Sequence, residues 1–433
     1  MDFARKVVNT AGATFIVRIL GLAGSVVLGR LLGPEGLGVY SILRAIPSFL
    51  VALTCVGLPT AAVYYVSREP QNRPQITATL FFYAIVCGSI IAIGLWISSP
   101  LLNKLYFKGV LKGSYFVLLS FLVPFMLFVR LGSAILQGLY RITERNGVEI
   151  LLRTVLILGY LALVWLVKWH IFGALTSLVI AHCLTAFYVL FFVRRDIKFT
   201  VSRNFAIIRR MFGYALSAFL GQFLEQMEGN IIFLILGMFI ESASLGLFAV
   251  AIALGGFVLF PSTAIARPML PRLARMDEKE AGRAFIQVIQ VGLILSTLTA
   301  VAVVVIAPYA VPLLYGSKFN GVTRILIVLL PGFIAGAMLS FVRVYFLSTG
   351  KPLWRMYMSM FRAVLLLVSI VVGGISGGIL GAAIGMTVGL IITLFGALCF
   401  IFWYNPIIEF RDMIVAWTAT VTYVKAFIGS RKR

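Results

Sequence analysis

Residues 171 to 195 read IFGALTSLVIAHCLTAFYVLFFVRR, twenty-three positions without Lys, Arg, Asp or Glu, closed by two arginines. A helix of that length is about 35 Å long and crosses a hydrocarbon core of ~30 Å. Apolar runs of comparable length recur from end to end. The chain of 433 residues is 61% hydrophobic and 12% charged, with a mean hydropathy of +1.05, whereas soluble domains carry roughly 25% charged residues. These values exclude a water-soluble fold.

Breaks at Gly, Pro and charge clusters place twelve spans near residues 8–30, 38–65, 76–98, 114–138, 148–168, 171–193, 210–240, 243–266, 285–307, 321–347, 357–374 and 379–402. Residues 405–433 mix apolar side chains with Glu409, Arg411, Asp412 and Lys425 and read as an amphipathic helix on the inner surface. The basic residues alternate by loop. One side holds Arg68 and Arg73, Arg141 and Arg145, the cluster from Arg194 to Arg210, the cluster from Arg267 to Arg283, Lys351 with Arg355, and both termini. The bias is about 24 to about 7, which makes that side cytoplasmic. The expectation is a multi-pass protein of the inner (plasma) membrane with both ends inside, no cleavable signal peptide and anionic lipids as neighbours. The net charge of +23 is explained by those loops, so nucleic acid is not expected as a partner.

Every loop is short, which leaves no room for a catalytic domain outside the bilayer and argues against a glycan polymerase or ligase. Cys55, Cys87, Cys183 and Cys399 fall in apolar runs without CxxC spacing, and His170 and His182 stand alone. Neither a disulfide framework, a metal site nor a cofactor is expected, and the chain does not read as an enzyme. Glycines 373, 377, 381, 385 and 389 make small steps at four-residue intervals that permit close helix packing. Pro47, Pro59, Pro124, Pro261 and Pro331 lie within the assigned spans.

One constant offset aligns Gly29-Arg30-Leu31-Leu32 and Leu37-Gly38-Val39-Tyr40 with Gly237-Met238-Phe239-Ile240 and Leu245-Gly246-Leu247-Phe248, and sets Phe49 on Phe257. A repeat of this kind divides the chain into parallel six-helix lobes, 1–200 and 201–404, with 405–433 as a tail. Such repeats place a substrate near the midplane and rock about it.

An ionisable group at the bilayer centre costs at least about 2.5 to 3.5 kcal/mol, so those present face a cavity or a partner. Arg18 sits halfway along the first span, Arg44 two turns into the second and Arg130 in the inner half of the fourth, and a water-filled cavity is the preferred reading for all three. Arg153, Arg343 and Arg362 lie near cytoplasmic ends and are read as snorkelling. Gln222, Glu225, Gln226, Glu228 and Asn230 crowd the middle of the seventh span. Glu225 and Glu228 share a helical face with Gln222. They either couple the cycle to an ion or fasten the lobes by pairing with an arginine. Under the repeat offset Arg18 falls on Gln226, which puts both groups at equivalent depths.

Asn9-Thr10, Arg30-Leu31-Leu32-Gly33-Pro34, Leu37-Gly38-Val39-Tyr40 and Gly57-Leu58-Pro59 resemble the opening of the Wzx-type polysaccharide flippases, within the multidrug/oligosaccharidyl-lipid/polysaccharide exporter superfamily. The resemblance is strongest over the first ~70 residues and loosens to span count and lobe layout beyond. It implies two six-helix lobes, both termini inside, and carriage of undecaprenyl-diphosphate-linked sugars to the outer leaflet, with glycan-assembly enzymes as neighbours. It also implies that an arginine on the first helix serves the anionic headgroup, a place held here by Arg18. The related peptidoglycan-precursor flippases have fourteen spans, so lipid II fits this chain less well. Arg18, Arg44 and Arg130 are the candidate substrate residues, and Glu225, Glu228, Gln222 and Asn230 the candidates for coupling or gating. A drug and cation exporter of the same superfamily would prefer acids to arginines in its cavity. A passive scramblase or scaffold stays open as a further reading.

Overall fold

The computed structural model describes residues 2–55, 57–194, 209–212, 229–273, 276, 278–349 and 352–404, almost all of them helix, with short turns and links between. Nine of its helices are long and apolar enough to cross a membrane. Gln222, Glu225, Glu228 and the tail 405–433 lie outside the described residues. Two of the nine, α1 (Asp2–Cys55) and the final helix (Pro352–Tyr404), are interrupted at glycines and comprise two spans each.

Gly33 breaks α1 with φ 69° and ψ −179°, a conformation open to glycine alone. Gly24 and Tyr40, on either side, both meet Tyr160: the phenol oxygens of Tyr40 and Tyr160 are 2.8 Å apart, and a Cβ on Gly24 would stand 3.8 Å from the Tyr160 ring. Along a straight helix those two residues would be about 24 Å apart, beyond the reach of one side chain, so the chain turns at Gly33. The expected second span is itself divided. Gly57, at φ 72°, separates α1 from α2 (Leu58–Arg68). Pro59 therefore begins a helix rather than kinking one, where its missing N–H costs nothing. Pro261 likewise opens a helix, whereas Pro47, Pro124 and Pro331 lie inside theirs.

The chain continues through α3 (Arg73–Ile97), α4 (Ser99–Phe107), α5 (Ser114–Gly138), α6 (Ile142–Gly159, extended as a π-helix over Tyr160–Leu166) and α7 (His170–Val193). After the partly described seventh span come α8 (Ser242–Gly255), α9 (Phe260–Leu273), α10 (Glu278–Tyr315), α11 (Gly321–Ser348) and α12 (Pro352–Tyr404). Contacts divide the chain into two units. The first is Met1–Ala249 with Leu314–Phe319, and the second is Val250–Leu313 with Asn320–Arg433.

Within the first unit α3 and α5 pack through Phe81 stacked on Phe128, ring centroids 4.1 Å apart. The start of α8 belongs to this unit through an unusually close crossing with α1. A Cβ on Gly38 would overlap the Ser242 carbonyl oxygen and come within 3.0 Å of the Gly246 nitrogen. Reciprocally, a Cβ on Gly246 would overlap the Pro34 carbonyl oxygen and come within 3.1 Å of the Gly38 nitrogen. The repeat offset that aligns Gly38 with Gly246 also aligns Pro34 with Ser242, so the contact is symmetric under the repeat. The few identities seen in the sequence therefore include the pair on which the two copies touch.

In the second unit α11 is central, with 72% of its apolar window buried against 22% for α10. Beside it α12 folds into a hairpin at Gly377 and Gly378, the latter at φ 58°. Its two halves touch at Gly373 with Gly381, Ser369 with Gly385 and Leu366 with Gly389, and finish at Trp354 and Phe400, whose rings lie 4.5 Å apart. The glycine steps let the backbones meet where any side chain would hold them apart. Gly385→Leu should prevent closure of the hairpin, because its Cβ already overlaps the Ser369 carbonyl oxygen. The expected result is a sharp fall in folded protein extracted from membranes, read as loss of the monodisperse peak in size-exclusion chromatography. Gly94→Leu, in open space on α3, should leave that peak intact.

Candidate functional site

A cavity of about 810 Å³ opens within the first unit, between the end of α1, α2, α5, α6 and α7. Its polar lining includes Arg130, Gln137, Arg145, Glu149 and His182, set among apolar groups such as Val51, Val63 and Met126. The hairpin between α5 and α6 gives a common baseline for depth. Arg145 stands about 5 Å along α6 from that turn, Arg130 about 12 Å along α5, and Arg153 about 16 Å along α6. Beyond them, Arg44 lies one turn past Tyr40 and within electrostatic range of Arg153, as are Glu149, Tyr40 and Tyr160. The arginines thus form a ladder that rises from the basic end of the helices toward their middle.

Their pairing is the telling feature. Among the described residues Arg44, Arg130, Arg145 and Glu149 take part in no ion pair. The Nε of Arg153 is buried without a hydrogen-bond partner. Four cations face one carboxylate, and a buried donor left unmatched costs on the order of 1 to 3 kcal/mol. An anion with several oxygens would relieve both deficits, since guanidinium groups bind phosphate or carboxylate in a two-pronged fashion. His182 contributes less: its Nδ1 donates to the Leu178 carbonyl, 2.8 Å away, as a packed helical histidine does.

Of the three arginines expected to meet cargo, Arg130 lines this cavity and Arg44 lies beside Arg153 above it. Arg18 is half-buried on the first part of α1 and is not among the lining residues. Asn230 is half-buried in the helical stretch 229–236. The snorkelling expectation fails for Arg362, which is 9% exposed, whereas Arg153 is half-buried with its Nε enclosed. Arg343 instead donates to Ser340 Oγ at 2.9 Å. Arg145, Glu149 and Arg153 recur every four residues and so share one face of α6. That stripe is readable in the sequence, although reading the residues one by one as loop charge or snorkel concealed it.

At the basic end of the same unit Arg210 pairs with Glu69 and lies over the Tyr65 ring, 4.8 Å from its centroid. The Asn72 amide, 2.9 Å from Glu69 Oε2, and then Arg210 hold the Glu69 carboxyl below its usual range. A depressed carboxyl pKa contributes stability that is present above the ordinary glutamate range and lost as pH falls through the folded value. The pair should therefore be intact at neutral pH and open only in acid, which the pH-dependent shift of an isotope-labelled Glu69 side-chain signal would show. The four cysteines, all described, are free.

The model of a family described as polysaccharide biosynthesis protein matches residues 27–324. A protein of Shigella flexneri, named provisionally as an O-antigen transporter, is 27% identical over 181 residues, 40% of this chain. The match spans 42% of that relative's length. Among solved structures, the lipid II flippase MurJ in an inward closed conformation aligns with a TM-score of 0.78 at 14% identity, over 98% of this chain and 93% of that one. An inward-facing MATE family multidrug transporter of the MOP superfamily aligns with a TM-score of 0.73 at 15% identity, over 88% and 94%. At such identities the likeness is one of fold, and a flippase and a drug transporter share it.

Proposed function

We propose that this chain, which belongs to the polysaccharide biosynthesis protein family, is a flippase that carries a polyprenyl-diphosphate-linked oligosaccharide from the inner to the outer leaflet. The observation that supports this reading above the others is the ladder of unpaired arginines around a cavity. A diphosphate is a compact polyanion, and the ladder offers it successive sites from the basic end to mid-membrane. A cation exporter would meet repulsion in the same place. The basic loops set the orientation, with both termini in the cytoplasm and the chain in the inner membrane. In this reading the lobes 1–200 and 201–404 rock to expose the cargo to each side in turn.

Arg18 and Arg44 grip the diphosphate or acidic sugars, Arg130 receives it from the cytoplasmic side, and Glu225, Glu228, Gln222 and Asn230 couple or gate the return. The experiment that tests the assignment replaces Arg18 by alanine in cells that depend on this chain for surface polysaccharide. Delivery of glycan to the outer leaflet should be lost while the protein stays in the membrane at its normal level. Normal delivery by Arg18→Ala would remove Arg18 from the cargo path. Normal delivery by Arg18→Ala, Arg44→Ala and Arg130→Ala combined would overturn the anionic-cargo reading itself.

A further inference from the structure

At the other end of the first unit lies a second cavity, of about 800 Å³, walled by the bend of α1, the turn after α4, the start of α7 and the 237–242 turn. Its chemistry differs from that of the arginine ladder. Glu35, Glu241, Lys108 and His170 line it, with Tyr106 and Phe239 as flat walls. All four ionisable residues are exposed. Among the described residues none of their side chains has an ion-pair or hydrogen-bond partner, although charges of both signs border one space. Lys108 and His170 also leave the chain from left-handed backbone, at φ 52° and 45°, a conformation that non-glycine residues rarely adopt.

A ligand of single charge would meet its own sign in this cavity. A polyol would not: carboxylates accept hydroxyl hydrogens, an ammonium and an imidazole donate to hydroxyl and ring oxygens, and aromatic walls cover the apolar faces of sugar rings. The volume falls within the range of ordinary small-ligand pockets, whose few polar groups fix orientation among apolar walls. We propose that this cavity binds the saccharide part of the cargo, as a carbohydrate site separate from the arginines that bind its diphosphate. The inference rests on the polysaccharide-flippase reading. The cavity includes Glu35 and Ser242, which stand either side of the Gly38–Gly246 crossing, so a bound sugar touches both helices of that contact.

The test uses the full chain in lipid nanodiscs. The probe is the repeat-unit oligosaccharide released by mild acid from the producing cells' own lipid-linked pool, tagged at its reducing end and followed by fluorescence polarisation. Wild type should bind it, and Glu35→Gln with Glu241→Gln should weaken binding about tenfold or more, as expected for losing two charge-assisted hydrogen bonds. Gly94→Leu, in open space on α3 and outside both cavities, should bind the freed sugar as wild type does. Absence of binding by wild type, or equal binding by the glutamine pair, overturns the proposal. Displacement of the sugar by glycerophosphoethanolamine also overturns it, in favour of a zwitterionic lipid headgroup. The two readings fail separately: delivery that depends on the arginines without any binding of freed sugar removes only the carbohydrate site, whereas delivery indifferent to the arginines removes the flippase.

Discussion

Leucine at position 38 should stop glycan delivery while leaving the chain in the membrane. A Cβ alone on Gly38 already overlaps the Ser242 carbonyl oxygen, and backbone cannot move aside as a flexible side chain can. Overpacking a close contact costs typically 1 to 3 kcal/mol and occasionally more, which shifts a two-state equilibrium by about 5- to 150-fold away from the crossed arrangement. A carrier that works by alternation needs both arrangements, so biasing one at the expense of the other blocks the cycle rather than slowing one step. Gly246→Leu should do the same, because the contact is reciprocal. The check is a cysteine pair, Pro34→Cys with Ser242→Cys, which should cross-link on oxidation in the parent chain and fail to do so once Gly38→Leu is added. Cross-linking that survives Gly38→Leu would show that the crossing tolerates the side chain, and the argument would fall.

Arg153→Met is the second substitution with a large expected effect, and its two readouts should move in opposite directions. The Nε of Arg153 is buried without an acceptor, and a buried donor left unmatched is a cost that an apolar residue of similar length removes. Thermal stability of the purified protein should rise. Delivery should fall roughly ten- to hundredfold, the loss expected when a hydrogen bond from a charged group worth about 1.5 to 3 kcal/mol is removed from a bound anion. If both stability and delivery fall, Arg153 holds the lobe together and is not part of the cargo path.

Much of the architecture was legible because hydrophobic length and basic loops report directly on the bilayer. The breaks at Gly33 and at Gly377 with Gly378 fall between spans assigned from composition alone. The site was harder to read. Counting residues from a span boundary gives the depth of an arginine but not the face it occupies, which is why the buried Nε of Arg153 was not foreseen. Arg145 was counted with the loops, and its place at the basic end is where it also lines the cavity. Glu149, its neighbour one turn on, drew no notice because a lone acid near a helix start is ordinary on any sequence. Pro59 shows how local chemistry corrects a span: a glycine at φ 72° precedes it, and the pair reads as a stop and a restart.

The symmetry of the Gly38–Gly246 contact also bears on how such a chain could arise. A patch that meets its own copy, residue for equivalent residue, is the interface of a two-fold homodimer. A half-length ancestor would have needed only one glycine and one neighbouring carbonyl to build both sides of it. Fusion of two gene copies would then have kept the interface while freeing each half to diverge.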